Sequence, residues 1–185
     1  MPAPQKLAHV VLISAQKDAL RDWYLKVLSA RVQLDSELVA FLAYDDEHHR
    51  IAIAQIDDAK APTPPTTGLA HIAFTFTELD DLLQTFDDLR NDGIEPVWTV
   101  NHGLTTSIYY ADPDGNNVEL QVDNFATSEE GNAYLRSDRF AANPIGVSFD
   151  PQTYLTRLRG GESCQQLMEE LARAEGEPIG ATSAG

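Results

Sequence analysis

The stretch KLAHVVL at residues 6–12 returns as GLAHIAF at residues 68–74, and this repeat decides the fold. The same offset of 62 residues pairs further positions downstream: Asp18 with Asp80, Leu20 with Leu82, Tyr24 with Phe86 and Val27 with Leu89. Self-similarity at a fixed spacing is the signature of a duplicated structural unit. The sequence therefore predicts two copies of one module.

Each copy begins with an apolar strand, and an amphipathic helix follows it. Apolar residues recur at spacings of three and four in both helical segments, which is the pattern of one buried helix face. Three shorter strand signals come next: RVQLDS, VAFLAYDD and RIAIAQI in the first copy, and IEPVWTV, TSIYYAD and NVELQV in the second. The stretch DPDGN at 112–116 has the chemistry of a tight turn and predicts a hairpin. Each copy is thus predicted to be βαβββ.

A βαβββ unit of about 60 residues would leave one face of its sheet uncovered if it stood alone. We therefore predict an α+β fold in which the two modules form a shared, cupped, mixed sheet around a metal site, followed by a C-terminal tail with short helices. The predicted boundaries are 1–57 for the first module, 58–67 for a linker rich in Pro and Thr, 68–124 for the second module and 125–185 for the C-terminal extension. That extension is expected to be a lid or a subunit interface.

Two short helices are predicted within the extension, at 151–158 and 162–174, with an irregular segment FAANPIGVSFDP ahead of them.

The composition bounds the function. The 185 residues carry a formal net charge of −16, so no basic surface is available to bind nucleic acid or an anionic membrane. No apolar run approaches the roughly 20 residues of a membrane span, and the N-terminus lacks the features of a signal peptide. The single cysteine, Cys164, cannot form an intrachain disulfide. We expect a cytoplasmic protein that forms a homo-oligomer.

Two histidines occupy equivalent positions in the repeat. His9 and His71 each stand at the start of the first strand of their module, so a pseudo-twofold arrangement would bring both imidazoles to one cavity. Glu119 is the charged residue inside the apolar alternation VELQV, and burying an unpaired carboxylate costs roughly several kcal/mol. Glu119 therefore needs a cation or a strong donor.

Two imidazoles and one carboxylate match the facial triad that binds non-haem Fe(II) and leaves positions open for substrate and O₂. Superposing RIAIAQI on NVELQV places Ala52 opposite Glu119, so the first copy supplies a methyl group where the second supplies a ligand. The alternative is a purely structural role, in which each histidine is a hydrogen-bonded core residue and Glu119 caps a sheet edge or pairs with an arginine.

The sequence resembles the vicinal oxygen chelate superfamily over residues 5–124 and, within it, the type I extradiol catechol dioxygenases. The narrower resemblance rests on FLAYDDEHHRIAIAQ, GLAHIAF and HGLTTSIYYADPDGNNVEL. It implies that His9, His71 and Glu119 bind Fe(II), with Mn(II) as the alternative metal. It also implies an aromatic diol and O₂ as substrates, both oxygen atoms entering a ring opened beside the diol.

The resemblance implies roles for further residues. It assigns acid/base catalysis to His49, a hydrogen bond to the substrate to Tyr109, and cover of the substrate side of the metal to His102. It assigns an apolar niche for the ring and O₂ to Val11, Phe41 and Ala52. The segment from His102 to Tyr109 is shorter than in most relatives, which leaves the reach of His102 open.

The adjacent histidines of DDEHHRIAIAQI, residues 45–56, pose a question that the residues and the resemblance answer differently. Strict strand alternation from Ala52 points His48 inward. The resemblance selects His49, and we follow it, because regular alternation need not hold where a turn gives way to the strand.

Two other functions fit the same fold. A glyoxalase-type lyase or isomerase generally needs a fourth protein ligand from the first copy, against which Ala52 argues. A non-catalytic protein that sequesters small molecules needs a cavity but no metal ligands.

Overall fold

The computed structural model describes residues 1–60 and 67–179, so residues 61–66 of the predicted linker lie outside the described residues. The chain divides into two compact units: the first holds residues 1–70 together with 111–116, and the second holds residues 71–110 together with the chain from 117 onward. The exact module boundaries given above stay predictions.

The first unit has the predicted βαβββ order. Its elements are β1 (Val10–Ser14), α1 (Lys17–Val27), β2 (Arg31–Asp35), β3 (Val39–Ala43) and β4 (Ile51–Gln55). The strand order is β1-β4-β3-β2, in which β1 and β4 are parallel while β3 is antiparallel to both β4 and β2. The parallel pair is possible because the helix and two further strands separate β1 from β4 along the chain.

Helix α1 covers one face of this sheet. Its apolar stripe includes Leu20 and Tyr24, both fully buried, and the strands contribute Leu12 and Ile53 to the same core. The opposite face of β1 is open to solvent, since Val11, whose side chain lies on that face, is 56% exposed. The first unit thus has a packed face and an apolar face without a helix.

The second unit repeats the order with β5 (His71–Phe76), α2 (Leu79–Asn91), β6 (Trp98–Asn101), β7 (Thr105–Ala111) and β8 (Asn117–Asp123). A short strand, β9 (Val147–Ser148), extends the sheet to the order β5-β8-β7-β6-β9. Helix α2 lies against β5 and β8 on one side and against α5, and its leucines are buried. The predicted α+β class with two βαβββ modules is confirmed, and hydrogen-bonded strands form one sheet in each unit.

The turn between β7 and β8 is organised by one buried carboxylate. Asp112 accepts hydrogen bonds from the backbone N–H groups of Asp114 (3.0 Å) and Asn116 (2.8 Å), and the Tyr24 hydroxyl donates to it at 3.2 Å. Gly115 has a φ of +84°, which glycine adopts without a Cβ clash. The stretch DPDGN forms the turn that its chemistry predicts.

Strand register shows that Ala52 and Glu119 are equivalent. In the first unit Val11 pairs with Ala52, and in the second unit Ala73 pairs with Glu119. Val11 and Ala73 are separated by the offset of the repeat. The first module therefore carries a methyl group at the position where the second carries a carboxylate.

The C-terminal extension contains more structure than its sequence pattern predicts. Helices α5 (Pro151–Arg159) and α6 (Cys164–Arg173) correspond to the two predicted helices, but α3 (Ser128–Leu135) and α4 (Asp138–Ala142) precede them. The prediction of an irregular FAANPIGVSFDP was wrong, because this segment includes the end of α4 and all of β9. Its strand is stabilised by pairing with β6, which the local sequence does not encode. Among the described residues, no helix is long and apolar enough to cross a bilayer.

An ion-pair network joins α5 and α6. The Arg157 guanidinium donates to the carboxylates of Glu162 and Glu170, each at 2.8 Å or less, and the Tyr154 hydroxyl donates to Glu170 at 2.8 Å. Arg157, and then Tyr154, lower the pKa of Glu170 from its ordinary value of 4.5 to about 2. The folded state therefore favours the ionised carboxylate.

We expect Glu170→Gln to lower the thermal unfolding midpoint at neutral pH. A lowered folded-state pKa contributes stability above the unfolded value, so the difference from wild type persists above about pH 4.5 and shrinks as the pH falls toward 2. Thermal melts between pH 3 and pH 7 measure this. Glu169→Gln, whose carboxylate lies 3.6 Å from Arg173 on the same helix, is the matched control and should show a smaller effect. A difference that does not change with pH would contradict the charge-based explanation.

Candidate active site

The second unit brings His71 and Glu119 into direct contact. Strands β5 and β8 are parallel, with His71 opposite Asn117 and Ala73 opposite Glu119, so side chains two apart share a face. His71 Nε2 lies 3.0 Å from Glu119 Oε2. Glu119 is 4% exposed, whereas the His71 side chain is 41% exposed. The buried carboxylate thus faces an imidazole that solvent and small molecules can reach.

Tyr109 on β7 stands beside this pair. Its ring meets the His71 imidazole edge-on, with ring centroids 5.4 Å apart. Burial, and next the charge of Glu119 with a hydrogen bond to it, raise the pKa of Tyr109 above its ordinary value. Tyr109 therefore keeps its proton at neutral pH and acts as a hydrogen-bond donor.

His102, in the loop after β6, reaches Tyr109 despite the short segment between them. His102 Nε2 lies 3.1 Å from the Tyr109 hydroxyl, and His102 Nδ1 contacts the carbonyl oxygen of Ile145. Because a carbonyl oxygen only accepts, Nδ1 carries a proton, and in the neutral imidazole Nε2 accepts a hydrogen bond from the Tyr109 hydroxyl. The Tyr109 hydroxyl can thus donate a hydrogen bond to His102 or to Glu119.

Trp98 belongs to the same group of side chains and was missed from the sequence. It pairs with Tyr109 across the β6–β7 ladder, and its ring lies 4.8 Å from the Tyr109 ring and 5.5 Å from the His102 ring. The predicted strands IEPVWTV and TSIYYAD contain the signal for an antiparallel pair. Their register, which decides that Trp98 is opposite Tyr109, cannot be read from either strand alone.

In the first unit, His49 packs between two aromatic neighbours. Its ring stacks on Phe41 with centroids 4.6 Å apart and an interplanar angle of 14°, and it lies 4.4 Å from the His9 ring. The His48 side chain is 70% exposed. Burial, and then the imidazoles of His9 and His48, lower the pKa of His49. A neutral imidazole at His49 can accept a proton at neutral pH.

The chain geometry explains why alternation fails at His48. Residues 44–48 form bends and β4 begins only at Ile51, so the two-residue period of a strand does not extend to the histidine pair. Of the two, His49 is the one placed against His9 and Phe41. Its acid/base role stays a prediction.

The predicted apolar niche is a row of side chains across the first sheet. Val11 pairs with Ala52, and Ala52 pairs with Phe41 on its other side, so the three share one face. This is the face without a helix. Phe41 also carries the stacked His49, which joins the row to the histidines.

The predicted site residues fall into two groups, each within one unit. His9, His49, Val11, Phe41 and Ala52 lie in the first unit, and His71, His102, Tyr109 and Glu119 lie in the second. In the part of the chain that the structure describes, no three His, Cys, Asp or Glu side chains are grouped so as to hold a metal ion. His9 as the third ligand therefore stays a prediction.

The His71–Glu119 pair fits a divalent metal ion. Imidazole nitrogen and carboxylate oxygen are donors that transition metals such as iron accept. Two donor atoms that bind one ion at about 2.1 Å on adjacent octahedral positions are about 3.0 Å apart, the same as the separation of His71 Nε2 and Glu119 Oε2. A cation would also compensate the charge of a carboxylate that is 4% exposed.

Residues 6–120 match the family described as the Glyoxalase/Bleomycin resistance protein/Dioxygenase superfamily. The chain belongs to this superfamily. Among superfamily members, the chain is 42% identical over 179 residues to biphenyl-2,3-diol 1,2-dioxygenase 2 from Rhodococcus globerulus, covering 96% of this chain and 94% of the relative. It is 45% identical over 163 residues to biphenyl-2,3-diol 1,2-dioxygenase 3 from the same organism, covering 87% and 86%.

Solved structures of the superfamily share the fold. A glyoxylase/bleomycin resistance protein/dioxygenase domain from Frankia sp. EAN1pec aligns with a TM-score of 0.55 at 17% identity, covering 65% of this chain and 99% of that chain. Lactoylglutathione lyase from Agrobacterium tumefaciens aligns with a TM-score of 0.53 at 16% identity, covering 65% and 96%. At these identities the likeness shows the fold alone.

The resemblance drawn from the sequence is confirmed at both levels. The superfamily is shown by the family match, and the type I extradiol dioxygenases are represented by the two Rhodococcus relatives. The names of these relatives place the cleaved 1,2 bond beside the 2,3-diol, which is the extradiol position. The prediction of a ring-cleaving extradiol dioxygenase, an oxidoreductase, is confirmed by them.

We expect the protein to bind one divalent metal ion per chain through His71 and Glu119. Anaerobic titration calorimetry with Fe(II) measures this, with Mn(II) as the alternative metal. His71→Ala should weaken binding at least about 100-fold, which is the upper end of what loss of an outer-shell partner costs. His48→Ala removes an exposed imidazole and should bind as wild type does. Unchanged affinity in His71→Ala would exclude this pair as the site.

Proposed function

We propose that this protein is an Fe(II)-dependent extradiol dioxygenase that acts on biphenyl-2,3-diol or a closely related catechol. The observation that carries the proposal is the buried Glu119 carboxylate 3.0 Å from the accessible His71 imidazole, with Tyr109 and His102 alongside. The relatives at 42% and 45% identity support the choice of substrate, since both are named for biphenyl-2,3-diol. An aromatic diol and O₂ are the two small-molecule partners.

The proposed ligands are His9, His71 and Glu119. A bound ferrous ion would supply a Lewis acid for the two catechol oxygens and the one-electron chemistry that O₂ requires. Ala52, which occupies the position equivalent to Glu119, supplies no fourth ligand. This asymmetry supports a dioxygenase over a glyoxalase-type lyase, because three protein ligands leave room for both a bidentate diol and a gas molecule.

Tyr109 and His102 are proposed to hold the diol in one orientation. The Tyr109 hydroxyl, kept protonated by burial and by Glu119, donates a hydrogen bond to a substrate oxygen. His102 Nε2, 3.1 Å from that hydroxyl, fixes its position when no substrate is present. Trp98 packs against both rings and restricts their rotation.

His49 is the proposed acid/base residue. Its neutral imidazole accepts a proton from the diol as the substrate binds and returns it during ring opening. Stacking on Phe41 holds the ring in place, which general acid/base catalysis requires of the group that moves the proton. The apolar row of Val11, Phe41 and Ala52 is the proposed niche for the aromatic ring and O₂.

The composition supports further proposals about the setting of the enzyme. The net charge of −16 favours neither nucleic acid nor an anionic membrane as a partner. A cytoplasmic location and a homo-oligomeric assembly are likewise proposed from the sequence.

The Fe(II)-loaded protein should consume O₂ with biphenyl-2,3-diol and form a yellow ring-opened product. An oxygen electrode and absorbance spectra measure the two signals in parallel. A panel of unsubstituted, biphenyl-type and carboxylated catechols ranks the substrates by kcat/KM, and the biphenyl-type diol should rank first. No O₂ uptake across this panel would refute the proposed function.

Tyr109→Phe should lower kcat about 10- to 1000-fold, because the variant loses the hydroxyl that orients the diol. Steady-state O₂ uptake measures this. Tyr110→Phe is the matched control: Tyr110 is buried on the opposite face, and its hydroxyl has no hydrogen-bond partner among the described residues. Its activity and stability should stay close to wild type. Equal losses in the two variants would show that the Tyr109 hydroxyl has no specific role.

His49→Ala should retain the metal and lose turnover, about 100- to 10,000-fold in kcat, as expected for loss of a general acid/base. Calorimetry and O₂ uptake on the same preparations separate the two effects. His48→Ala should keep the metal and most of the turnover, since its side chain is 70% exposed and its 2.6 Å contact is with His49 itself. If His48→Ala loses turnover instead, the assignment within the histidine pair is reversed.

A further inference from the structure

The described part of the C-terminal extension, residues 125–179, contacts His102 through a backbone carbonyl oxygen. We propose that this extension is a positioning device that fixes His102 with Nδ1 protonated and Nε2 free to accept from Tyr109. The proposal rests on the proposed function, because it assigns the extension a task in the same site. The contacts between the extension and residues 101–103 are accounted for without a lid or a subunit interface.

The first contact is the hydrogen bond from His102 Nδ1 to the carbonyl oxygen of Ile145. A neutral imidazole has one protonated nitrogen, so a carbonyl acceptor at Nδ1 leaves Nε2 as the acceptor. The opposite tautomer would leave the Ile145 carbonyl without its donor and would direct an N–H at Tyr109. The carbonyl of Ile145 therefore sets the direction of the His102–Tyr109 hydrogen bond.

The turn that presents this carbonyl is held by Asn143. Its side-chain oxygen accepts from the backbone N–H of Gly146 at 2.9 Å, and its side-chain nitrogen donates to the Gly146 carbonyl at 3.0 Å. Gly146 has a φ of +115°, and a Cβ there would lie 2.1 Å from the backbone oxygen of Asn101. The turn is thus pressed against the residue before His102, at a distance that only glycine permits.

A buried amide network ties the His102 loop to helix α6. Asn101 is 2% exposed, and its side-chain nitrogen donates to the Leu171 carbonyl at 2.8 Å. Its side-chain oxygen accepts from the Gly103 N–H at 2.7 Å and from the Asn124 amide at 2.9 Å. Of these three hydrogen bonds, one links the two residues that flank His102, one joins Asn101 to the extension, and one joins Asn101 to Asn124 just after β8.

The other side of the loop is covered by helix α3. Gly103 has a φ of +81°, and a Cβ there would lie 1.8 Å from the Tyr134 hydroxyl oxygen. With Gly146 on one side and Tyr134 on the other, the extension encloses residues 101–103. Strand β9 completes the attachment through its pairing with Asn101. Asn143 and Asn101 are accordingly positioning residues that act through His102.

Two-dimensional ¹H–¹⁵N correlation spectra of the histidine rings test the proposal on the metal-free protein. The His102 signals are assigned by their disappearance in His102→Gln. In wild type, the neutral form of His102 should be the Nδ1–H tautomer. A wild-type spectrum with the Nε2–H tautomer, or with a mixture of the two, would overturn the proposal without any variant.

Asn143→Ala then removes both hydrogen bonds that shape the turn. We expect a tautomer mixture at His102 and a fall of about tenfold in kcat with KM changed less than about threefold, because substrate binding does not involve the turn. Asn143→Asp keeps the acceptor for the Gly146 N–H and should restore most of the wild-type tautomer. Asn132→Ala, an exposed asparagine on α3, is the matched control and should change neither signal.

The outcomes separate this proposal from the proposed function. If wild type shows the predicted tautomer but no catechol is cleaved, the proposed function fails while the positioning stands. If wild type is active and Asn143→Ala changes neither the tautomer nor kcat, the positioning role fails while the enzyme assignment stands. Should Asn143→Ala not fold, the wild-type tautomer and the Asn143→Asp variant decide the matter.

Discussion

The burial of one carboxylate is the constraint on which the second unit depends. Glu119 is 4% exposed in the middle of a sheet, and a charge in that position is costly unless a cation or strong donors compensate it. The parallel pairing of β5 and β8 places His71 on the same face, with its Nε2 3.0 Å from Glu119 Oε2, where it can compensate this charge. Tyr109 completes the surroundings from β7, and burial, followed by the same charge, raises its pKa. The buried charge of Glu119 needs compensating groups nearby, and the chemistry proposed for the site uses those same groups, His71 and Tyr109.

The two copies of the module keep one architecture and differ in the side chains that they carry. Register places Ala52 and Glu119 at equivalent points of their sheets, so duplication has kept the strand pairing and changed the side chain. The first unit contains an apolar row and the stacked His49, and the second contains the carboxylate and its donors. The duplicated fold thus carries different side chains at equivalent positions of its two modules.

The extension beyond the repeat acts on the site through backbone atoms more than through side chains. The carbonyl of Ile145 meets His102, and the carbonyl of Leu171 meets the Asn101 amide. Such contacts depend on the path of the chain and on glycine at Gly103 and Gly146, where any side chain would collide with its neighbour. A search of the sequence for reactive side chains does not find these backbone contacts.

The sequence by itself determined the duplicated βαβββ order, the DPDGN turn, the α+β class and the superfamily, because each rests on local periodicity, turn chemistry or a motif. It also singled out His9, His71 and Glu119, since a charge inside an apolar alternation is visible in one strand. Only the tertiary structure decided that Trp98 lies opposite Tyr109, that β9 joins the sheet, and that His102 reaches Tyr109. Those features depend on strand register and on close contacts between segments far apart in the chain. Residues that are distant in sequence carry no local pattern that could specify how they meet.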